Sequence, residues 1–221
     1  MMKTETLIRI DRHKIIAIVR GAEPEHCMDV AGALLRGGIR LMEITYDQAR
    51  PESWKATAGA IREIARAYDG ELTVGAGTVT TPGLAELTAD AGGRFVISPD
   101  TDVRVIRRSV ELGLVSMPGA MTASEIKTAH EAGADYVKLF PAGCLGPGYL
   151  RAVRAPLNHV RLMAVGGINE KNLGDFLRAG AVGAGIGGNL ANRDWIARGE
   201  FEKITETARV LVRIAEEFQN E

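Results

Sequence analysis

The chain has 221 residues, 46% of them hydrophobic and 25% charged, with a formal net charge of −1. That length and composition fit a globular protein of one large domain or two small ones, and they give no electrostatic pull toward nucleic acid or an anionic membrane. No apolar run reaches membrane-spanning length, the polar opening MMKTETLIRIDRHK lacks the apolar core of a signal peptide, and Cys27 and Cys144 form no disulfide framework, so a cytoplasmic protein is expected.

In chain order, a helix is predicted near residues 3–12 and a strand near 14–20. Helices near 24–36, 52–68 and 82–91 then lead into strands near 39–45, 72–77 and 94–98. Helices near 101–112, 122–132, 147–154 and 169–179 lead into strands near 114–117, 135–140, 160–166 and 183–187, and a closing helix covers 200–219. One pattern recurs: a polar and apolar helical segment ends in glycine and a short apolar run follows, as in LLRGGIRLMEIT, VELGLVSMPG and HEAGADYVKLF. Glycine suits the left-handed backbone that ends a helix, and the apolar run suits a buried parallel strand. Helix starts are marked by PDTD, TASE and NEKN.

Eight strands alternating with eight helices over residues 1–221 predict a single α/β domain, a (β/α)8 TIM barrel with an extra N-terminal helix. An open doubly wound sheet is the weaker reading, because the first strand ends in VRGAEP and not in G-x-G-x-x-G. The four histidines show no paired ligand spacing, and no metal or cofactor is expected. Trp54 and Trp195 are assigned to packing on the barrel wall, and Leu84, Leu87 and Met163 fit core better than interface.

In a barrel of this kind the active site gathers at the C-terminal ends of the strands. Three charges stand there inside apolar runs: Arg20, Glu43 and Lys138. Burying an isolated charge is costly, so they should meet one another or a charged ligand. One reading is an ion-pair cluster that only holds the barrel. The other makes Lys138 an amine nucleophile, with desolvation and the positive charge of Arg20 both favouring the neutral amine. Such an amine forms a Schiff base with a ketone, and Glu43, tuned upward by burial, would move the protons. With polar Thr78 nearby, this is a class I aldolase constellation. The loops AVGGINEKN and GAGIGGNL end strands seven and eight, where barrels often hold a phosphate. The N–H groups of Gly166, Gly167, Gly187, Gly188 and Asn189 are the candidate donors.

The motifs IIAIVRG, GGIRLMEIT, VGAGTV, VISP, SMPGAMTASE, VKLFPAG, AVGGI and GIGGNL occur in that order from about residue 14 onward. Together they resemble the 2-keto-3-deoxy-6-phosphogluconate / 4-hydroxy-2-oxoglutarate aldolase family. The resemblance implies a homotrimer of (β/α)8 barrels that cleaves a 4-hydroxy-2-oxo acid or sugar-acid phosphate to pyruvate and an aldehyde, without a metal. It implies Lys138 as the Schiff-base lysine and Glu43 as the acid/base. Thr78 and Pro99 would line the pyruvate pocket beside Phe140, Arg20 would contact substrate or shape the lysine, and the glycine loops would hold phosphate. Where many members have an arginine four residues after the glutamate, this chain has Asp47, and where some have serine it has Asn189. VRG, AVGGI and LGPGYLRA look more like the phosphogalactonate-cleaving branch, and the choice between the galactonate and gluconate substrates stays open. A phosphosugar epimerase and a non-catalytic phosphosugar-binding barrel are the alternatives. The epimerase would call for paired acids or a His/Asp metal set, and only one strand-end glutamate is found.

Arg50, in the loop YDQARPESW, is the candidate replacement for the missing arginine. Arg50→Ala is then expected to raise the KM for pyruvate in the aldol-forming direction; an unchanged KM in steady-state assays would remove Arg50 from the site.

Overall fold

The apolar runs that follow helix-ending glycines do become parallel strands in the computed structural model, which describes residues 2–218. Gly38, Gly92, Gly113, Gly133 and Gly180, each just before a strand, have φ of 91°, 83°, 72°, 104° and 100°. Only glycine takes these values without steric cost, so the motif is a backbone requirement.

Helix α1 (Met2–His13) comes first, then β1 (Ile15–Val19), α2 (Pro24–Arg36), β2 (Leu41–Thr45), α3 (Trp54–Ala67), β3 (Thr73–Gly77), α4 (Pro82–Asp90) and β4 (Phe95–Ile97). The second half runs α5 (Val103–Glu111), β5 (Val115–Met117), β6 (Gly119–Ala120), α6 (Ala123–Glu131), β7 (Val137–Leu139), α7 (Ala142–Arg154), β8 (Leu162–Val165), α8 (Leu173–Arg178), β9 (Gly183–Ile186), α9 (Arg193–Ala197) and α10 (Phe201–Glu216). The strand order is β5-β4-β3-β2-β1-β9-β8-β7-β6.

The two strands at the ends of that order, β5 and β6, flank a single residue, Pro118. Proline has no N–H to give a ladder, so the fifth barrel strand breaks there. Its first piece pairs with β4 and its second with β7. The Pro118 carbonyl still accepts the Lys138 N–H at 2.8 Å. The barrel therefore has eight strand positions, as the sequence predicts, with one position occupied by two pieces.

Three further differences have local causes. Helix α7 starts at Ala142, earlier than residue 147, and is interrupted by Gly146 (φ 80°) ahead of Pro147. Helix α8 starts at Leu173, later than residue 169, because amide side chains build a separate turn first. The Asn169 and Lys171 N–H groups donate to Asn172 Oδ1 and Asn169 Oδ1, each at 2.9 Å. Helix α9 was not expected; the Asn192 side chain caps it by accepting the Asp194 and Trp195 N–H groups. Residue 219 of the expected closing helix lies outside the described residues. The starts at PDTD and TASE are as expected, with Asp102 and Thr122 as caps and Glu125 completing a capping box.

Strand alternation sorts the core into two shells. Met42, Ile44, Val137, Leu139, Ala184 and Ile186 face the helices. Ile16, Ile18, Leu41, Phe95, Ile97, Val115, Met117, Tyr136, Met163 and Val165 fill the barrel interior. Leu7 and Ile10 of α1 join the inner shell and seal its N-terminal end. Tyr136 donates its hydroxyl hydrogen to Asp11 at 2.7 Å, and Arg161 lies 4.2 Å over the Tyr136 ring while pairing with Asp11. Leu84 and Met163 are buried within the single chain, as expected of core residues.

Ile10 is fully buried. Ile10→Ala is expected to remove about 3 kcal/mol of stability, read as a lower urea midpoint. An unchanged midpoint would mean that α1 does not seal the barrel.

Candidate active site

The same alternation that fills the barrel with Leu41 and Tyr136 turns the next inward positions, two residues on, into Glu43 and Lys138. Each is flanked by residues that face the helices, Met42 and Ile44 in one strand and Val137 and Leu139 in the other. Glu43 is 2% exposed and Lys138 7%. An acid and an amine therefore share the dry upper barrel.

Strand β3 makes the room for them. A Cβ on Gly77 would stand 2.2 Å from Glu43 Oε1, and one on Gly75 would stand 2.5 Å from the Phe95 ring. The GAGT motif thus supplies bare backbone where side chains would collide. Glu43 Oε2 is buried with no hydrogen-bond partner among the described residues.

Burial dominates the protonation of both groups. Desolvation pushes the Glu43 carboxyl up to about 7, against the opposing pull of Lys138 and Arg20. Desolvation holds the Lys138 amine below its ordinary value; Glu43 opposes this, Arg20 adds to it, and Asp100 opposes it. Both shifts run toward the neutral form, the direction that proton transfer beside an amine calls for.

Around this pair stand the other predicted residues. Arg20, just past β1, donates from Nη2 to Thr78 Oγ1 at 3.4 Å. The Phe140 ring centre is 4.6 Å from Lys138 Nζ. Pro99 lies against the start of β6, where a Cβ on Gly119 would be 2.3 Å from its carbonyl oxygen. A cavity of about 470 Å³ opens beside this mouth, between the loops that follow β1 and β2. Arg20, Thr45, Thr78, Asp47, Arg50 and Arg193 are among its lining residues, whereas Lys138 and Glu43 are not.

Arg50 lines that cavity with its Nε held by Asp47 Oδ2 at 2.9 Å. The hydrogen bond from Arg50, with a second from the Ala49 N–H, keeps the Asp47 carboxyl below its usual range. The Asp47 charge is thereby paired within its own loop, which offsets part of the repulsion expected between it and a substrate carboxylate. Its carbonyl also accepts the Trp54 indole N–H at 2.8 Å, so Trp54 ties this loop to α3.

The two glycine loops converge. Asn189 donates from Nδ2 to the Ile168 carbonyl at 2.9 Å, tying the loop after β9 to the loop after β8. Gly166 and Gly167 have φ of 92° and 77°. Among the described residues, the N–H groups of Gly166, Gly167, Gly187, Gly188 and Asn189 have no protein acceptor. One hydrogen of the Asn189 amide is already used, which leaves its backbone N–H as the clearer anion donor.

Sequence reasoning missed Gly77, whose signal was two glycines at alternate, inward positions of one strand. It also missed Arg193, which reaches the cavity from α9; its guanidinium lies so close over Gly21 that a Cβ there would be 2.7 Å from Nη2. Gln48 was missed as well: its Nε2 donates to the Thr78 carbonyl at 2.9 Å.

The family described as KDPG and KHG aldolase matches residues 7–207. Over 177 residues the chain is 36% identical to the 2-dehydro-3-deoxy-6-phosphogalactonate aldolase of Escherichia coli, covering 80% of this chain and 83% of that protein. It is 33% identical over 206 residues to the 2-dehydro-3-deoxy-phosphogluconate aldolase of Treponema pallidum, covering 93% and 95%. A solved structure described as native KDPGal superposes with a TM-score of 0.84 at 33% identity, covering 94% of this chain and 96% of that one. A KDPG aldolase from Legionella pneumophila, solved with pyruvate captured as a covalent carbinolamine, gives a TM-score of 0.82 at 26% identity, covering 92% and 96%.

The raised Glu43 value sets a pH dependence. Its folded value of about 7 lies above the ordinary 4.5, so the folded protein holds this proton more tightly than the unfolded chain. The destabilising cost is absent below about 4.5 and grows until the pH passes about 7. Glu43→Gln should therefore gain thermal stability relative to the parent as the pH rises through that window. Equal differences in Tm at about pH 5 and about pH 8 would contradict it.

Proposed function

Because this chain belongs to the KDPG and KHG aldolase family, we propose that it is a class I aldolase acting through a Schiff base on Lys138. The observation that supports this most is the buried Lys138 and Glu43 pair, with the amine lowered and the carboxyl raised. The carbinolamine of the Legionella relative fits the same chemistry.

Neutral Lys138 adds through Nζ to the C2 carbonyl of the 2-oxo acid. Glu43 gives a proton to the departing oxygen, water leaves and an iminium remains. Glu43, now a carboxylate, takes the proton of the C4 hydroxyl. The C3–C4 bond breaks, its electrons pass into the iminium as an enamine, and the aldehyde departs. The enamine takes a proton back at C3, and water releases pyruvate and free Lys138. A carboxyl poised near 7 suits a group that alternates between acid and base.

The substrate is a 4-hydroxy-2-oxo acid: 2-dehydro-3-deoxy-6-phosphogalactonate, the phosphogluconate substrate that differs from it at one hydroxyl, or 4-hydroxy-2-oxoglutarate. The two phosphorylated acids yield glyceraldehyde 3-phosphate. Arg20, Thr78, Pro99 and Phe140 line the pyruvate half, with Arg50 on the adjoining cavity wall. The free N–H groups of Gly166, Gly167, Gly187, Gly188 and Asn189 support a phosphate subsite there. We read residues 1–221 as one aldolase domain that works as a homotrimer. No helix among the described residues is long and apolar enough to cross a membrane. The free cysteines Cys27 and Cys144 fit a cytoplasmic setting.

Borohydride reduction with pyruvate, followed by peptide mass mapping, is expected to leave an adduct on Lys138 that Lys138→Ala abolishes. Glu43→Gln is expected to lower kcat by about a hundred- to ten-thousand-fold. No adduct in the parent enzyme would return the choice to an epimerase or a non-catalytic phosphosugar-binding barrel.

A further inference from the structure

Thr78 holds a backbone conformation that a β-branched residue adopts only under restraint. Its φ is 56°, in the left-handed region where the branched Cβ crowds its own backbone. Residues on both sides continue the ladder, with the Tyr46 N–H donating to Gly77 O at 3.0 Å and the Val79 N–H to Ile97 O at 3.2 Å. The chain therefore turns sharply at one residue between two fixed points.

Side chains from three neighbouring loops hold that turn. Gln48 Nε2 donates to the Thr78 carbonyl at 2.9 Å. Thr80 Oγ1 donates to Gln48 Oε1 at 2.7 Å, which fixes the end of the amide that faces Thr78. Ser98 Oγ donates to the Val79 carbonyl at 2.7 Å, and Arg20 Nη2 reaches the Thr78 hydroxyl at 3.4 Å. The Thr78 N–H itself has no protein acceptor among the described residues. Thr78 lines the cavity with this N–H free and its hydroxyl only weakly engaged. Asp47, beside Gln48, is already occupied by Arg50 and the Ala49 N–H.

We propose that Gln48 is a positioning residue for the 2-oxo acid: by clamping Thr78 in its left-handed turn, it presents the Thr78 N–H and hydroxyl to the substrate's C1 carboxylate. This rests on the aldolase reading above. Gln48 touches neither the reacting carbons nor Lys138. Its effect is on recognition of the carboxylate, and formation of the imine as such is untouched.

The test compares borohydride trapping at Lys138 with pyruvate and with acetone, a ketone that has no carboxylate. Gln48→Ala should raise the half-saturating pyruvate concentration about tenfold to a hundredfold, while trapping of acetone and the Tm stay as in the parent. Gln48→Met, which keeps the length but loses the donor, should behave the same way. In a Thr78→Gly background, where glycine takes the turn without restraint, adding Gln48→Ala should change little further. An unchanged pyruvate half-saturation in both Gln48 variants overturns the clamp, as does an equal loss with pyruvate and acetone. A parent enzyme that traps no pyruvate overturns the aldolase reading, and the clamp falls with it.

Discussion

Everything at the mouth of this barrel depends on the cost of taking a carboxyl and an amine out of water together. In a strand every second residue faces the interior, so an inward Leu41 obliges residue 43 to face inward as well, and an inward Tyr136 does the same for residue 138. Desolvation then outweighs the attraction between the two charges, and both groups drift toward neutrality. A pair of this kind is a poor device for stability and a good one for moving protons. The surrounding architecture keeps that environment dry on one side and accessible on the other: Leu7 and Ile10 close the far end of the barrel, and loops frame the near end.

The neighbours of the pair serve it mainly by what they leave out. Gly77 yields its side-chain volume to Glu43, and Gly75 yields to Phe95. Pro118 gives up a ladder N–H, splitting its strand while still accepting from the Lys138 backbone. Asp47, which could have opposed an anionic substrate, is matched inside its own loop by Arg50. The site is therefore a set of local exceptions to regular barrel geometry, each made where the chemistry needs space, a turn or a compensated charge.

Much of this was legible in the residues. Glycine followed by an apolar run marks five strand starts because the left-handed turn and the buried strand are both backbone demands. Glu43 and Lys138 stood out because a charge in an apolar strand is conspicuous. What escaped notice depended on contacts distant in sequence. The split at Pro118 requires knowing that the strands on either side, β4 and β7, sit in one ring. The delayed start of α8 and the short α9 follow from Asn side chains competing with the backbone. Gln48 and Arg193 looked like ordinary surface polar residues until loops far apart in the chain met over Thr78 and Gly21.

The split strand has a consequence for how the barrel closes. Each terminal strand of an open sheet is normally a template on which another chain can extend the ladder. Here β5 and β6 stand one residue apart, so neither border is offered to a second molecule. The seam lies beside β7, where the Pro118 carbonyl grips the Lys138 backbone. The closure of the wall and the placement of the buried Lys138 amine thus share one backbone hydrogen bond.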